Sequence, residues 1–479
     1  MAVKLSEVRV PFEGDGAGVG ELTWGQAGIW RTTRRTGRTM NIVVVMPLPE
    51  ATPLTEMAAV LRFIVGRHPA LRTRLRFADE SSEDRVPQQV VAASGEVPLQ
   101  IADIDEDDDP ALVAEEMRSR YELTGFDYEH EFPVRMGIVR RAGALLQLVL
   151  GYSHVMVDGV GLGVLTRDLD HLDRLTGEAD APFDGPSPLE LARAQAGPAG
   201  RRQSERSIRY CLAQLARLTP WSPAEPPTPR EPRFWELVAY SPAMELGMRA
   251  VAARTGVPTT YVLLAAYASA VARVFGRNPN VAQIVVSNRF RPGLAEAVAQ
   301  ISQHGICVVD TADATFDEVV HRAYNAATNA SFHGYYDPAD HAAMLEEVTA
   351  ARGGRPLGLS WHLNDRRGLF RSDDDTAEAA VGGSDGEGAV SIQAELTRGL
   401  PLTRMYWDRR QAMFDGALFL QVDSEPALAA RRAQTEGQPA VHFEVWTDTH
   451  EFALSQVEEL VREMEAVVVR AVLDPRAGG

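Results

Sequence analysis

The feature that most constrains the fold is an alternating apolar run that leads directly into a glycine-containing turn. From Leu146 to Tyr152 every second residue is a leucine or a tyrosine, and this period of two predicts a β-strand. The segment that follows, Ser153 to Gly161, contains Gly159, a residue type used where a turn needs a positive φ or a close backbone approach. We therefore expect His154 and Asp158 to lie on a short loop held by a rigid strand.

The side chains of this loop indicate acid–base chemistry without establishing it. Imidazole accepts and returns protons near neutral pH, and a nearby carboxylate fixes its orientation. A histidine beside a strand is nonetheless commonly a packing or surface residue, and a short His-x-x-x-Asp-Gly motif also arises by chance. The loop by itself leaves both interpretations open.

Size and charge limit the class of protein. A chain of 479 residues is too long for one compact core, so two or three domains are expected. The net charge of -18 disfavours nucleic acid or an anionic membrane as the main partner. The two cysteines, Cys211 and Cys307, provide neither a disulfide framework nor a metal-ligand spacing. We therefore expect a cytoplasmic protein without a metal site.

Hydropathy argues against export and against a membrane span. The N-terminal residues lack the apolar stretch of a signal peptide. The most apolar window, Tyr261 to Phe275, is short for a bilayer and contains Arg273. This window is predicted to be a helix buried inside a domain.

Both halves of the chain mix predicted strands and helices, without the regular alternation or the glycine motifs of a Rossmann or P-loop fold. Helices are predicted at 54–65, 116–121, 161–175, 204–218, 244–255, 259–275 and 316–331, and after two capping boxes, Thr23–Gln26 and Ser455–Glu458. Strands are predicted at 41–46, 281–287, 357–363, 390–396 and 441–445. The polar, glycine-rich residues 371–388 are predicted to form a mobile loop.

A shift in composition suggests how the chain is divided. From residue 177 to residue 232 proline, glycine, alanine and arginine become frequent, which is typical of a connection between lobes. The predicted division is a first lobe at 1–180, a connection at 181–232 and a second lobe at 233–479.

Several motifs, in order, make the chain resemble the condensation domains of nonribosomal peptide synthetases, members of the chloramphenicol acetyltransferase-like superfamily. Arg67 to Thr73 resembles the family's Arg-His-x-x-Leu-Arg-Thr motif, and Ser153 to Gly159 resembles its His-His-x-x-x-Asp-Gly core. Leu22 to Trp30 resembles the family's first motif, and Leu359 to Asn364 resembles a later strand that ends in an asparagine. Val286 to Arg289 and Val298 to Asp310 match more loosely.

The resemblance implies an α/β fold of the α+β sandwich type, with two chloramphenicol acetyltransferase-like lobes in a V-shaped pseudo-dimer around a central tunnel. A peptidyl or acyl carrier protein would present an acyl thioester on its 4'-phosphopantetheine arm at one mouth. An amine or alcohol acceptor, free or carrier-bound, would enter at the other. No cofactor bound by this chain itself is expected.

The resemblance also implies roles for individual residues. His154 would be the catalytic residue, as a proton acceptor or positioning group. Asp158 would form a structural ion pair with Arg289, and Gly159 would permit the turn. Asn364 and Ser360 would line the substrate pocket from the second lobe.

One position departs from the family pattern, because Ser153 replaces the first histidine of the core motif. That position is usually structural in the family, so the replacement is compatible with activity, but it changes the hydrogen bonding behind the loop. Ser153 is a weak candidate nucleophile, since no Gly-x-Ser-x-Gly elbow surrounds it.

The leading hypothesis is a free-standing condensation enzyme that acts in trans in natural-product biosynthesis, since these residues leave no room for adenylation or carrier domains. Two other enzymes share the fold, an acyl-CoA-dependent O-acyltransferase of the wax ester or diacylglycerol type and an epimerisation domain. A further alternative is a non-catalytic, condensation-like recruitment module. His154, Asp158 and Gly159 count against that alternative, and Ser153 counts weakly for it.

Overall fold

The computed structural model of the protein describes residues 3–77, 86–174, 176–219, 221, 228–354, 357–367, 387–423 and 439–474. Contacts divide the chain into two compact units. Unit 1 comprises Met1–Gln203 and Ser287–Gln303, and unit 2 comprises Ser204–Val286 and His304–Gly479.

Unit 1 is built on a mixed five-stranded sheet in the order β1-β6-β7-β8-β3. Strands β6 and β7 run parallel, and the other neighbours run antiparallel. A second, antiparallel sheet has the order β2-β5-β4. The strands are β1 (Lys4–Glu13), β2 (Gly18–Glu21), β3 (Asn41–Pro47), β4 (Thr73–Arg76), β5 (Gln88–Val91), β6 (Ser94–Ile104), β7 (Val134–Arg141) and β8 (Ala144–Ser153).

Helices cover both faces of the five-stranded sheet. The helices in the first 216 residues are α1 (Trp24–Thr36), α2 (Leu54–Arg67), α3 (Pro110–Leu123), α4 (Gly159–Asp168), α5 (Pro188–Ala196) and α6 (Pro198–Ala216). Leu148 and Tyr152 of β8 pack into the core with α2 and α4, while Val149 packs with α3 on the other side. Burying apolar side chains on both faces stabilises the sheet as the middle layer of the unit.

The alternation predicted for β8 is confirmed over most of the strand and fails at one point. Leu146 packs on the face of α3, and it is Leu145 that lies in the core with Leu148. The register with β7 shifts between Val139 and Arg140. Such a bulge inserts an extra residue, so the side chains before it change faces.

Unit 2 contains a seven-stranded sheet in the order β11-β10-β12-β14-β15-β9-β13. Strands β10, β12 and β14 run parallel, whereas β14, β15, β9 and β13 pair antiparallel. The strands are β9 (Phe234–Ser241), β10 (Asn280–Val286), β11 (Gln303–Val309), β12 (Trp361–Asp365), β13 (Arg404–Gln411), β14 (Leu418–Asp423) and β15 (Val441–Asp448).

The helices that lie wholly in unit 2 are α7 (Pro242–Thr255), α8 (Thr259–Phe275), α9 (Phe316–Phe332), α10 (Pro338–Ala351), α11 (Glu387–Gly399) and α12 (Leu454–Leu473). Apolar residues of α7, α8, α9 and α12 form one large buried cluster with the strands of this sheet, whereas Met344 of α10 and Leu396 of α11 belong to smaller clusters. Every residue of α8 from Val262 to Val271 is buried, which confirms the prediction of an internal helix. In the described parts of the chain no single helix is long and apolar enough to cross a membrane, and α7 with α8 passes that test only as a pair bent by 111°.

Two predictions about secondary structure are wrong. Residues 390–396 were expected to form a strand but lie in α11. Ile392 and Leu396, four residues apart, pack against Ala243 and Val469, and residues at this spacing share a helix face as well as a strand face. Helix α12 begins at Leu454 rather than after Ser455, and the amide of Ala453 donates to Gln456 Oε1 at 3.0 Å.

Other predictions hold with shifted bounds. The capping box at Thr23 is confirmed, whereas the helix expected at 161–175 is α4 followed by a 3-10 turn at Leu169–His171. The contacts divide the chain between Gln203 and Ser204, inside the predicted connection at 181–232, which contains α5 and α6. Residues 371–386 of the predicted mobile loop lie outside the described residues.

Candidate functional site

The loop that carries His154 begins where β8 ends. Ser153 is the partner of Asn41 in the register between β8 and β3. The amides of Met156 and Val157 donate to the carbonyl of Ser153 at 3.0 and 3.3 Å. The sheet thus fixes the start of the turn, and hydrogen bonds within its own backbone stabilise the turn.

The floor of the loop is apolar and packs on α1. Val155 and Met156 are 1% and 0% exposed, and they form a cluster with Ala27 and Trp30. The side-chain amide of Gln26 donates to Met156 Sδ at 3.4 Å. The Thr-Trp-Gly-Gln motif at the start of α1 therefore supports the loop from below.

The imidazole of His154 is partly buried and has one defined hydrogen bond. Its Nδ1 lies 3.0 Å from the carbonyl oxygen of Val157. Because a carbonyl only accepts, we assign the proton to Nδ1, which leaves the lone pair on Nε2. Burial lowers the pKa of His154 below its ordinary value, although the charge of Asp158 opposes this. The ring is therefore neutral at pH 7, with a basic Nε2.

The carboxylate of Asp158 is 1% exposed and fully satisfied. Its Oδ1 accepts from the amide of Gly161 at 2.8 Å and caps α4. Its Oδ2 accepts from Arg289 Nη1 at 2.6 Å, the amides of Ile301 and Ser302 at 3.0 and 2.9 Å, and Ser302 Oγ at 2.8 Å. Burial by itself would raise the pKa of Asp158, but the Arg289 charge and these hydrogen bonds lower it below the ordinary value.

Arg289 organises the segment that reaches Asp158. Its guanidinium donates to the carbonyls of Ser287, Ala297 and Ala299, each at 3.0 Å, in addition to the carboxylate. A Cβ on Gly161 would lie 3.0 Å from Arg289 Nη2 and 3.2 Å from the carbonyl of Ala299. The expected Asp158–Arg289 pair is present in unit 1, and Gly161 permits the close approach. Gly159, the first residue of α4, lies in helical conformation.

Ser153 makes a contact that the sequence did not reveal. Its hydroxyl is fully buried and lies 3.2 Å from the hydroxyl of Tyr128. The ring of Tyr128 packs edge-on against Trp30 and beside Phe126. A tyrosine from a different segment thus occupies the space behind Ser153.

The far end of α4 has its own buried ion pair. Arg67 donates to both oxygens of Asp168, at 2.5 and 2.9 Å, and His68 Nε2 lies 3.1 Å from the same carboxylate. Hydrogen bonds and charge from His68 and Arg67 outweigh burial and lower the pKa of Asp168. Arg67 and His68 of the Arg67–Thr73 motif therefore anchor the C-terminal end of α4, the helix that follows the His154 loop.

Ser360 and Asn364 lie in unit 2, just before and within β12. Asn364 is the partner of Gln421 in the parallel pairing with β14. The carbonyl of Ser360 accepts from the amides of Ala417 and Leu418 at 2.8 and 3.2 Å. Their contact with substrate stays a prediction.

Comparisons with known proteins identify the family and the fold of the chain. The sequence model of the condensation domain matches residues 17–345, well over half of the chain. The nonribosomal peptide synthetase CymA of Salinispora arenicola is 28% identical over 331 residues. That match covers 65% of this chain and 4% of CymA.

Solved structures show the same fold. The condensation domain that mediates chain release from the enacyloxin polyketide synthase has a TM-score of 0.67 at 17% identity, over 96% of this chain and 84% of that one. The X-domain in a complex with OxyB from teicoplanin biosynthesis has a TM-score of 0.64 at 17% identity, over 97% of this chain and 95% of that one. The predicted fold class, the mixed α/β fold of condensation domains, is confirmed.

Proposed function

Because the chain belongs to the condensation-domain family, we propose that it joins an acyl or aminoacyl thioester on a carrier protein to an amine or hydroxyl acceptor. The product is an amide or an ester, in nonribosomal peptide or related natural-product biosynthesis. One observation carries the proposal: His154 donates from Nδ1 to Val157 and keeps the lone pair of Nε2 for a proton.

The reaction needs little activation of the donor, since a thioester is already reactive. The nucleophile attacks the carbonyl carbon, the new C–N or C–O bond forms, and the C–S bond breaks. Nε2 of His154 accepts the proton of the nucleophile and returns it to the departing thiolate. A hydroxyl is far less acidic than an ammonium group, so an alcohol acceptor depends more strongly on this base.

The carrier protein is supplied from outside these residues, by another chain or by another part of a longer one. The structural likeness to condensation-type domains extends over 96% and 97% of the chain. We propose that such a carrier delivers the acyl group and that its 4'-phosphopantetheine arm is the only prosthetic group required.

The test is product formation with His154→Ala. Carrier proteins loaded with a panel of acyl and aminoacyl groups are incubated with the wild type or the variant and a panel of small amines and alcohols. Intact-mass spectrometry follows loss of the acyl group from the carrier, and product is identified separately. We expect the variant to lose about 10²–10⁴-fold in rate, the range that a positioned base contributes.

The matched control is His130→Ala, which removes an exposed imidazole paired with Asp127 in the same unit. It should retain the wild-type rate. Equal product formation by the wild type and His154→Ala would remove His154 from the mechanism.

The pH profile gives a second test. Since burial lowers the pKa of His154, the basic form is present at neutral pH and is lost only as the pH falls through the lowered value. With an alcohol acceptor, which does not titrate in this range, the rate should therefore stay constant from about pH 8 to below about pH 6.5, the ordinary imidazole pKa, and then fall. A rate that already declines above that value would contradict this role.

A non-catalytic recruitment module is the second candidate, favoured by Ser153 in place of the first motif histidine. The X-domain with the same fold is known in a complex with OxyB. If no donor and acceptor pair yields product while the chain binds a partner enzyme from the same pathway, this candidate replaces the first. Acyl-CoA donors in the same assay test the O-acyltransferase alternative.

A further inference from the structure

The Asp158 carboxylate accepts more hydrogen bonds than are needed to cap a helix. A single side-chain oxygen that accepts from the first turn is sufficient for an N-cap, and Oδ1 does this through Gly161. Oδ2 faces the segment 287–303 and receives four donors from Arg289, Ile301 and Ser302. These contacts hold the carboxylate in one orientation and keep it ionised.

Ser302 differs from the other donors to Oδ2. Arg289 also holds three carbonyls of its own segment, and the two amides belong to the backbone. The hydroxyl of Ser302 donates to Asp158 at 2.8 Å. Its removal leaves the guanidinium and both amides on the carboxylate, so the buried charge keeps its main partners.

A short covalent and hydrogen-bonded path leads from Asp158 to the imidazole. Asp158 follows Val157, whose carbonyl accepts from His154 Nδ1 at 3.0 Å. Rotation of the peptide between residues 157 and 158 moves this acceptor, and the ring either follows or exchanges its proton to Nε2. This path connects the orientation of Asp158 to the direction and the tautomer of His154.

We propose that Ser302 is a positioning residue, whose hydroxyl orients Asp158 and thereby keeps His154 in the tautomer with a free Nε2. This proposal rests on the proposed function for its catalytic consequence. Its structural consequence, the tautomer of His154, is measured without any substrate.

The test compares Ser302→Ala, Ser302→Thr and the wild type as full-length chains. Imidazole 15N chemical shifts of labelled histidine, assigned with His154→Gln, report the tautomer. We expect the wild type to show the Nδ1–H form, Ser302→Ala to populate the Nε2–H form, and Ser302→Thr, which keeps a hydroxyl, to resemble the wild type. In the condensation assay kcat of Ser302→Ala should fall about 10-fold with KM for the donor unchanged, since the misplaced group affects the transition state.

The matched control is Ser187→Ala. Ser187 caps α5 in the same unit and exchanges hydrogen bonds with Glu190, so this variant also loses one serine hydroxyl and some stability. It should change neither the tautomer nor kcat.

The outcomes separate this proposal from the proposed function. If Ser302→Ala lowers the melting temperature as Ser187→Ala does, but keeps the wild-type tautomer and kcat, Ser302 has only a structural role. If His154→Ala turns over like the wild type, the catalytic role of His154 fails, and a tautomer change in Ser302→Ala would still support the positioning. If the wild type shows no turnover, the 15N spectra alone test the proposal, and an unchanged His154 tautomer in Ser302→Ala would contradict it.

Discussion

The two ends of the His154 turn are held by very different interactions. At the Ser153 end, a neutral hydroxyl contacts the hydroxyl of Tyr128 at 3.2 Å. At the Asp158 end, a buried carboxylate accepts from a guanidinium, three amides and a hydroxyl. Hydrogen bonds to charged groups are roughly twice as strong as neutral ones. The turn thus has one strong side-chain anchor and one weak one, in addition to the backbone pairing of β8 at Ser153.

The difference shows which motif position accepts a substitution. Loss of a weak, neutral contact costs about 1 kcal/mol, and another segment can fill the space, as Tyr128 does behind Ser153. Loss of one partner of a buried ion pair leaves an uncompensated charge. The departure from the family core motif accordingly lies at the weak end.

The largest effect should come from breaking the strong end. Asp158→Asn keeps the shape of the side chain but leaves Arg289 buried without its counter-charge. The free energy of unfolding should fall by about 3–5 kcal/mol, measured by urea denaturation at pH 7. A loss below about 1 kcal/mol would contradict the assignment of Asp158 as the main anchor.

The Asp158–Arg289 pair also predicts how the stability of the protein depends on pH. The pKa of Asp158 is lower in the folded state than in the unfolded state, so its contribution is fully present above the unfolded value of about 3.9 and is lost as pH falls through the folded value. The difference in unfolding free energy between the wild type and Asp158→Asn should be constant from about pH 5 to pH 8 and should narrow below about pH 4. The pKa of Asp168 is also lowered, but Asp168 is present in both proteins, so its contribution cancels in the difference between their unfolding free energies. A difference independent of pH down to acid unfolding would contradict this origin.

Restoring the family residue should weaken the turn. Ser153→His places an imidazole in a fully buried position already bordered by Tyr128, and overpacking of this kind costs about 1–3 kcal/mol. The melting temperature should fall, and the further fall caused by Ser153→His should be smaller in a Tyr128→Ala background, where space has been opened. If Ser153→His is as stable as the wild type, Tyr128 does not fill that space.

The smallest effect is expected from Ser153→Ala. The variant removes one neutral hydrogen bond, so it should cost about 1 kcal/mol and change kcat less than 10-fold. A double-mutant cycle with Tyr128→Phe should give a coupling of about 0.5–1.5 kcal/mol. A coupling near zero would show that the two hydroxyls do not interact in solution, and one as large as that of the Asp158 pair would abolish the contrast between the ends.

Much of the secondary structure could be predicted because a local pattern of apolar and capping residues is compatible with few backbone conformations. The apolar stripe of α2, the capping box of α1 and the alternation in β15 each matched the element that formed. Residues 390–396 failed because four apolar positions at a spacing of two also place Ile392 and Leu396 on one helix face. Within the site, the loop that carries His154 was predicted from the strand and turn pattern, and the Asp158–Arg289 pair was predicted from resemblance to the family.

The sequence by itself determined the strand that leads into the His154 turn, the side chains placed on that turn and the family of the chain, since these depend on residues close together or on ordered motifs. Only the tertiary structure decided which distant residues meet the turn. Tyr128 and Ser302 contact it across 25 and 144 positions of sequence, and Arg67 reaches Asp168 across 101. Such contacts depend on how the sheet brings segments together, because hydrogen bonds form over about 3 Å irrespective of separation along the chain.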